Sequence, residues 1–486
     1  MSFRRLVVWI SFLAVFAMAV RVAVDTDTWW HLRAGSWMLE KGEILRTDPF
    51  SLTKQGEPWI YPGWLAQVIL YGVFHTLGFA GLNLFTAIMV VIAFVFIWPL
   101  LDAPPLMRAF VLILAATVSA VYWSARPQIF SFALSAIFLW SLTQADKGQL
   151  RRIWILPPLM ALWSNLHGGF AIGFLLIGAY LFGEIVELVL DARLRPQVNA
   201  EVVRDHIIKI RTLVIIGLVC AVAVSINPHG PQMVIYPFKT VSVGVLQEYI
   251  EEWQSPNFHR LEVQPFLWML MLCSVALALS RERKRASDLL LLVGFASLSL
   301  LAARNIATFA LVAAPILARQ SNAVVKPLLE KQARPPDFPE PIARKINLIL
   351  FIILALAALM KITIPLSDQV NRDAIAGQVP VDAVAYLREH PDLGSLFNSY
   401  NWGGYVIWDL FPDYLSFVDG RTDLFGDEVL EGYLKAWLAE PGWEGYLDRY
   451  GIRVVLLEPR APLAFFLEHA GWEIRYEGEM AVVLTR

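Results

Sequence analysis

Asp25 and Asp27 sit one residue apart in Asp25-Thr26-Asp27-Thr28-Trp29-Trp30-His31, directly after an apolar stretch over residues 6–24. Carboxylates at that spacing can supply a general base, or can together hold a divalent cation such as magnesium or manganese against a phosphate. The spacing alone does not choose between the two roles. A helix cap at Asp27 accounts for one aspartate and leaves the other unexplained. An acid at the centre of a membrane helix costs roughly 2.5–3.5 kcal/mol, so acids kept beside an apolar stretch are expected to do work. Isolated arginines recur at comparable positions. Arg21 lies one turn inside the first stretch, Arg126 falls in Ser-Ala-Arg-Pro-Gln, and Arg304 precedes Asn305. A guanidinium binds two phosphate oxygens at once, worth roughly 1.5–3 kcal/mol per charged hydrogen bond, so these three are expected to bind a donor phosphate. His31, Asn165, His167, His229, Glu251 and Glu252 are the further polar residues expected to support such a site.

The elements that must position these residues are membrane helices. Apolar residues make up 57% of the 486-residue chain and charged residues 17%, against roughly 45–50% and 25% in soluble domains. A net charge of −2 says nothing about nucleic acid, but with no basic stripe or zinc-finger spacing no nucleic-acid partner is expected. The two cysteines, Cys220 and Cys273, fall within apolar stretches and read as buried thiols. Eleven apolar stretches predict spans near 6–24, 80–101, 106–124, 127–143, 153–166, 169–190, 212–226, 265–280, 287–303, 305–318 and 346–364. The first mimics a signal peptide, but the ten that follow favour a retained helix.

Lysine and arginine alternate along the loops. One set holds Lys147, Arg151 and Arg152, then Arg193, Arg195, Arg204, Lys209 and Arg211. It continues with Arg281, Arg283, Lys284 and Arg285, then Arg319, Lys326, Lys331, Arg334, Arg344 and Lys345, the last group around a Pro-rich linker at 334–341. The bias predicts a cytoplasmic N-terminus and an extracytoplasmic C-terminus, in the cell membrane. The first outside loop, 25–79, carries a short helix at 29–41 and an apolar segment at 64–77 that suits the membrane interface, anchored by Trp59, Tyr61 and Trp64. The second, 227–264, holds Asn227-Pro228-His229-Gly230, whose irregular backbone suits a polar, outward-opening cavity.

After residue 366 the composition becomes that of a soluble α/β domain. The patterns predict a helix at 381–390, strands at 395–398 and 415–418, a helix at 427–438, and a buried strand at 453–458. A closing hairpin follows, over 472–476 and 480–484. The expected fold class is a polytopic α-helical membrane protein (residues 1–365) with a C-terminal α/β domain (366–486).

An acidic motif in the first outside loop, followed by segments lying along the membrane, resembles the GT-C superfamily of membrane glycosyltransferases. Among them it is similar to bacterial multi-span proteins with glycosyltransferase-39-like or Rgt-like domains. That resemblance, over roughly residues 1–320, implies an inverting transferase that takes a sugar from a polyprenyl-phosphate donor, with Asp25 or Asp27 as the catalytic carboxylate. The acceptor would be a glycan or protein. Many relatives have Asp-Glu where this chain has Asp-Thr-Asp. The alternatives are a lipid or solute carrier and a ligase moving a glycan from a lipid pyrophosphate. A second resemblance joins Asn398–Tyr405 and Asp419-Gly420-Arg421-Thr422-Asp423 to oligosaccharyltransferase catalytic subunits. Those carry Trp-Trp-Asp-Tyr-Gly where this chain has Asn401-Trp402-Gly403-Gly404-Tyr405, without the aspartate, so protein N-glycosylation is not implied. The segment still makes Trp402, Tyr405, Asp419 and Arg421 candidates for facing the acceptor, because ligands in α/β sheets favour strand carboxyl ends.

Overall fold

A computed structural model of the chain describes all residues except 195–198, 242–243, 245–249 and 330–338. All eleven apolar stretches form helix. Seven helices are long and apolar enough to cross a membrane among the described residues, and four are shorter: Phe3–Ala19, Leu156–Leu166, Gln264–Leu279 and Ala286–Leu301. Arg195, Lys331, Arg334 and most of the Pro-rich linker lie outside the described residues.

Helix α1 (Phe3–Ala19) ends before Arg21. α2 (Thr28–Lys41) is the short helix expected after the acidic pair. α3 (Trp64–Ile97) is two helical parts that meet at a break at Gly78, so the 64–77 segment is distinct from the span that follows, as expected. Gly78 joins the two parts at φ 61°, ψ −153°, a backbone geometry that glycine reaches without a Cβ clash. Then come α4 (Pro105–Ser119), α5 (Gln128–Asp146), α6 (Leu156–Leu166), α7 (Ala171–Leu194) and α8 (Ala200–Val224). α8 starts twelve residues before its predicted apolar span. Its polar first turns are capped by Asn199 and paired to α7, where Glu184 accepts from Lys209 at 3.1 Å. The helices share one apolar core, running from Val15 through Phe94, Phe132 and Trp163 to Phe309.

The C-terminal sheet has strands β1 (Ser395–Asn398), β2 (Ile452–Leu457), β3 (Glu473–Glu477) and β4 (Val482–Thr485), in the order β1-β2-β4-β3. β1 runs parallel to β2, and the other pairs are antiparallel. Alternate residues leave opposite faces of a strand, and the sheet is covered on both. Leu396, Val454, Leu456 and Val483 pack towards the helix Gly403–Leu410 and onto Trp29 and Leu32 of α2 and Leu70 of α3. Phe397, Val455, Leu457 and Leu484 pack towards the helices Thr422–Trp437 and Pro462–His469. The sheet and the first loop are therefore built on one core.

The predicted strand at 415–418 does not form. Its backbone is held by a side chain instead: Asn398 Nδ2 donates to the Val418 carbonyl at 2.9 Å, and its Oδ1 accepts from Phe417 N at 2.7 Å. The other edge of this segment makes one parallel bridge, Ser51 to Ser416, back to the first loop. The predicted helix at 427–438 forms, and a helical turn starting at Thr422 leads into it across Gly426, whose φ of 67° and ψ of 177° are non-helical.

Candidate active site

A cavity of about 850 Å³ opens where α2, the 227–264 loop and the C-terminal sheet meet. Arg126 organises one wall. Its Nε lies 2.9 Å from Asp25 Oδ2, its Nη1 2.5 Å from Asp27 Oδ2, and its Nη2 3.0 Å from Glu252 Oε2. Three carboxylates from two loops thus converge on one guanidinium. The remaining oxygens are also engaged. Asp25 Oδ1 accepts from Asp27 N at 3.1 Å, and Asp27 Oδ1 accepts from Trp30 Nε1 at 3.2 Å. Glu252 Oε1 lies 3.6 Å from Arg304 Nη1, and the Arg304 guanidinium sits 4.1 Å over the Trp253 ring.

Local folding places Asp27 with little freedom. It begins α2 without capping that helix by its side chain, which turns to Trp30 and Arg126 instead. Gly420 presses against it: a Cβ at Gly420 would come within 1.9 Å of Asp27 Oδ1.

The electrostatics separate the acids. Burial pushes the Asp27 carboxyl up to about 6, against the pull of Arg126 and with help from Asp25 and Glu252. Glu252 is desolvated too, but Arg126 and Arg304 outweigh that and hold its carboxyl at about 2. Arg126 loses solvation, yet its three carboxylate partners keep it firmly charged, above the usual arginine range. His167 is neutral, its value pushed down to about 3 by burial and by Arg304 and Arg126. Its Nδ1 accepts from Gly169 N at 3.0 Å and meets Ser131 Oγ at 2.7 Å, so the ring proton belongs on Nε2.

The opposite wall comes from the C-terminal part. Asp423 accepts from Tyr236 Oη at 3.1 Å, and burial pushes its carboxyl up to about 6. Tyr61, Tyr400 and Tyr433 line the same wall, with Tyr400 Oη 2.8 Å from Thr422 Oγ1.

Of the residues expected from the sequence, Asp25, Asp27, Arg126, His167, Glu251, Glu252 and Arg304 line the cavity. The others lie elsewhere. Arg21 donates to the carbonyls of Ala120 and Trp123, satisfying the open end of the helical segment after α4. Asn165 accepts from Trp64 Nε1 at 2.8 Å and ties α6 to α3, while the side chain of His31 is buried beside Gln67, at 3.3 Å. His229 lies in the turn held by Asn227. Glu251, though at the cavity, is 73% exposed and paired to Arg260. The four expected acceptor-facing residues are core residues. Trp402 and Tyr405 pack under the sheet because their short helix buries that face against Trp29. Asp419 and Arg421 are fully enclosed with Asp48, Arg421 Nη1 lying 2.5 Å from Asp48 Oδ1 and Nη2 2.7 Å from Asp419 Oδ2. The chain positions beside them reach the cavity instead: Tyr400, Asn401, Gly420, Thr422 and Asp423. Asp423 closes the quoted Asp419–Asp423 run, so the segment was visible in sequence but its facing residues were not. Tyr61 stood out only as an interface anchor, and Tyr236 carried no signal beyond lying in the second long loop.

Among the described residues, no group of three or more His, Cys, Asp or Glu side chains is arranged to hold a metal ion. Asp25 and Asp27 do not fit a shared cation in this geometry, because the Arg126 guanidinium occupies the space between them.

No family model matches the chain, and no curated protein matches it significantly. Solved structures do. An Archaeoglobus fulgidus oligosaccharyltransferase, tethered to an acceptor peptide containing an NVT sequon, aligns over 94% of this chain and 69% of its own, at TM-score 0.58 and 12% identity. The archaeal oligosaccharyltransferase AglB from the same organism, in complex with an inhibitory peptide and a dolichol-phosphate, aligns over 94% and 70%, at TM-score 0.57 and 11% identity. A form of that organism's enzyme with zinc and sulfate aligns over 93% and 68%, at TM-score 0.50 and 13% identity. At such identities the likeness is one of fold, and it extends through both the helical bundle and the C-terminal sheet. The chain has the fold of these archaeal oligosaccharyltransferases, and seven of its helices among the described residues are long and apolar enough to cross a membrane.

Proposed function

We propose that this chain is an inverting glycosyltransferase that moves a sugar from a polyprenyl-phosphate donor to an acceptor hydroxyl on the extracytoplasmic face. The observation that carries the reading is the Arg126-centred acid cluster lining a cavity of the GT-C fold, with Asp27 raised to about 6. A base needs a value near the working pH, high enough to take a proton and low enough to be ionised. Asp27 meets that condition. Asp25 supports it through the Asp27 backbone N–H and through Arg126.

In the transfer, Asp27 takes the acceptor's hydroxyl proton as that oxygen attacks the anomeric carbon. The bond from that carbon to the lipid phosphate breaks, and the phosphate leaves with the bonding electrons. Arg304 faces the cavity with one distant carboxylate partner and is the better placed arginine to meet that charge. Arg126 is committed to the acids and holds them. Asp423, Tyr236 and Tyr400 offer hydroxyl and carboxyl partners for a sugar on the far wall.

The reading of a ligase moving a whole glycan draws support from the fold likeness to AglB, which is itself an oligosaccharyltransferase. Donor chemistry separates the two. Lipid extracts and surface glycans of a deletion strain and its parent, compared by mass spectrometry, test the proposal. A single sugar accumulating on a lipid monophosphate, with loss of that sugar from the envelope, supports the monosaccharide transferase. An accumulating lipid-pyrophosphate oligosaccharide supports the ligase, and unchanged profiles return the chain to the carriers.

A further inference from the structure

We infer that Arg126 occupies the position that a divalent cation would take between the two aspartates, so this site works with a built-in guanidinium in place of a metal. The inference rests on the transferase reading for its catalytic meaning, while its statement about binding rests on geometry alone.

A cation bridging Asp25, Asp27 and Glu252 would draw one oxygen of each to about 2.0–2.1 Å if it were magnesium. In the structure, the oxygens in question are Asp25 Oδ2, Asp27 Oδ2 and Glu252 Oε2. Each already lies 2.5–3.0 Å from a different nitrogen of Arg126. A dication placed among them would overlap the guanidinium and set like charges against each other at contact. Turning the carboxylates to use their other oxygens does not free a ligand. Those oxygens face the Asp27 backbone N–H, Trp30 Nε1 and Arg304. Arg126 is further tethered by its own loop, where Nε also reaches Ser124 Oγ at 3.3 Å.

Formal charge agrees. The three acids are met by Arg126 and Arg304, leaving a single excess negative charge. Arg126 already supplies the fixed positive charge that a metal would bring to the acids, and Arg304 supplies the one that meets a leaving phosphate. Unlike a bound ion, the guanidinium cannot dissociate.

Manganese titration of the purified full-length protein, followed by the free-ion EPR signal, tests this without any substrate. The wild type should remove no more Mn²⁺ from solution than Asp27→Asn does. Arg126→Met, checked for monodispersity, empties the cluster and should take up one Mn²⁺ per chain. Adding Asp25→Asn should abolish that uptake. Stoichiometric uptake by the wild type that Asp27→Asn removes would overturn the inference. So would a folded Arg126→Met that binds no more than the wild type. If Arg126→Met does not fold, the comparison of wild type with Asp27→Asn decides alone. Turnover in EDTA should match the untreated enzyme, and a loss restored by Mn²⁺ would again overturn the inference. Failure of the transferase reading would show instead as unchanged glycans in the deletion strain, whatever the Mn²⁺ result.

Discussion

Two arginines tie the first long loop and its neighbours together, and each is gripped by more than one carboxylate. Arg421 lies among Asp48 and Asp419 with no exposed surface on any of the three side chains. Its backbone N and Nε add bonds to Asp419 Oδ1 at 3.0 and 2.7 Å, and Asp48 is held by Phe50 N and Ser51 N. Arg126 lies among Asp25, Asp27 and Glu252, whose side chains keep 22–35% of their surface and line a cavity. The sealed cluster has every group satisfied and no route to a substrate. Each cluster carries one acid more than its arginines balance, but only the open one has a carboxyl raised to about 6 and room beside it. The same ion-pair chemistry therefore serves as a lock in one place and as machinery in the other. The two meet at Gly420, between Asp419 and Arg421, where a Cβ would come within 1.9 Å of Asp27 Oδ1 and its absence leaves space for Asp27.

The comparison breaks most sharply at Asp27. Asp27→Asn should lower turnover by roughly 10²–10⁴-fold, the usual cost of losing a general base, while the melting temperature at neutral pH stays at or slightly above the parental value. The sign follows from the raised carboxyl. The folded state holds this proton more tightly than the unfolded chain, so its stabilising contribution is full below 3.8 and gone above about 6. Parental turnover in the variant would move Asp27 from machinery to lock.

Arg421→Met should behave in the opposite way. Removing one partner of a buried ion cluster costs about 3–5 kcal/mol, so denaturation should show a large stability loss, with activity per folded molecule retained. Normal stability in this variant would mean that the sealed cluster locks nothing. Gly420→Ala tests the contact between the two regions. Its methyl group must displace Asp27 or shift the backbone, so turnover should fall several-fold with a smaller change in melting temperature. An unaffected rate would show that Asp27 tolerates relocation.

Arg304→Lys should reduce turnover about tenfold, or roughly 1.4 kcal/mol, with expression intact, because lysine keeps the charge but loses the planar fork. The smallest effect is the pH profile. With Asp27 as the base, turnover should decline as pH falls through about 6, while Glu252, at about 2, remains ionised throughout. Asp423 titrates in the same range, so Asp423→Asn should leave that limb in place. A limb that disappears in Asp423→Asn would assign it to the far wall.

The helical bundle was legible in the sequence because an apolar run of sufficient length has few alternatives to a membrane helix. The break between residues 64–77 and the following span was legible too, because Gly78 takes a non-helical backbone there. β1 matched at both ends, whereas the 415–418 strand failed because Asn398, distant in sequence, takes up its backbone groups. At the site, acids and arginines beside apolar runs signalled Asp25, Asp27, Arg126 and Arg304, and the structure brings these four to one cavity. Sequence could not show which arginine the acids would hold. It also could not separate Asp419 and Arg421 from Gly420, Thr422 and Asp423, because facing depends on a tertiary contact with Asp48 that lies 373 residues from Arg421.

The most direct test of the central claim is a complementation experiment on the deletion strain with wild-type protein and with Asp27→Asn, reading lipid-linked sugars and envelope glycans by mass spectrometry alongside protein abundance. The wild type should restore the glycan. Asp27→Asn should be present at the same level, fail to restore it, and leave the lipid-linked donor accumulated. Full restoration of the glycan by Asp27→Asn would contradict the account.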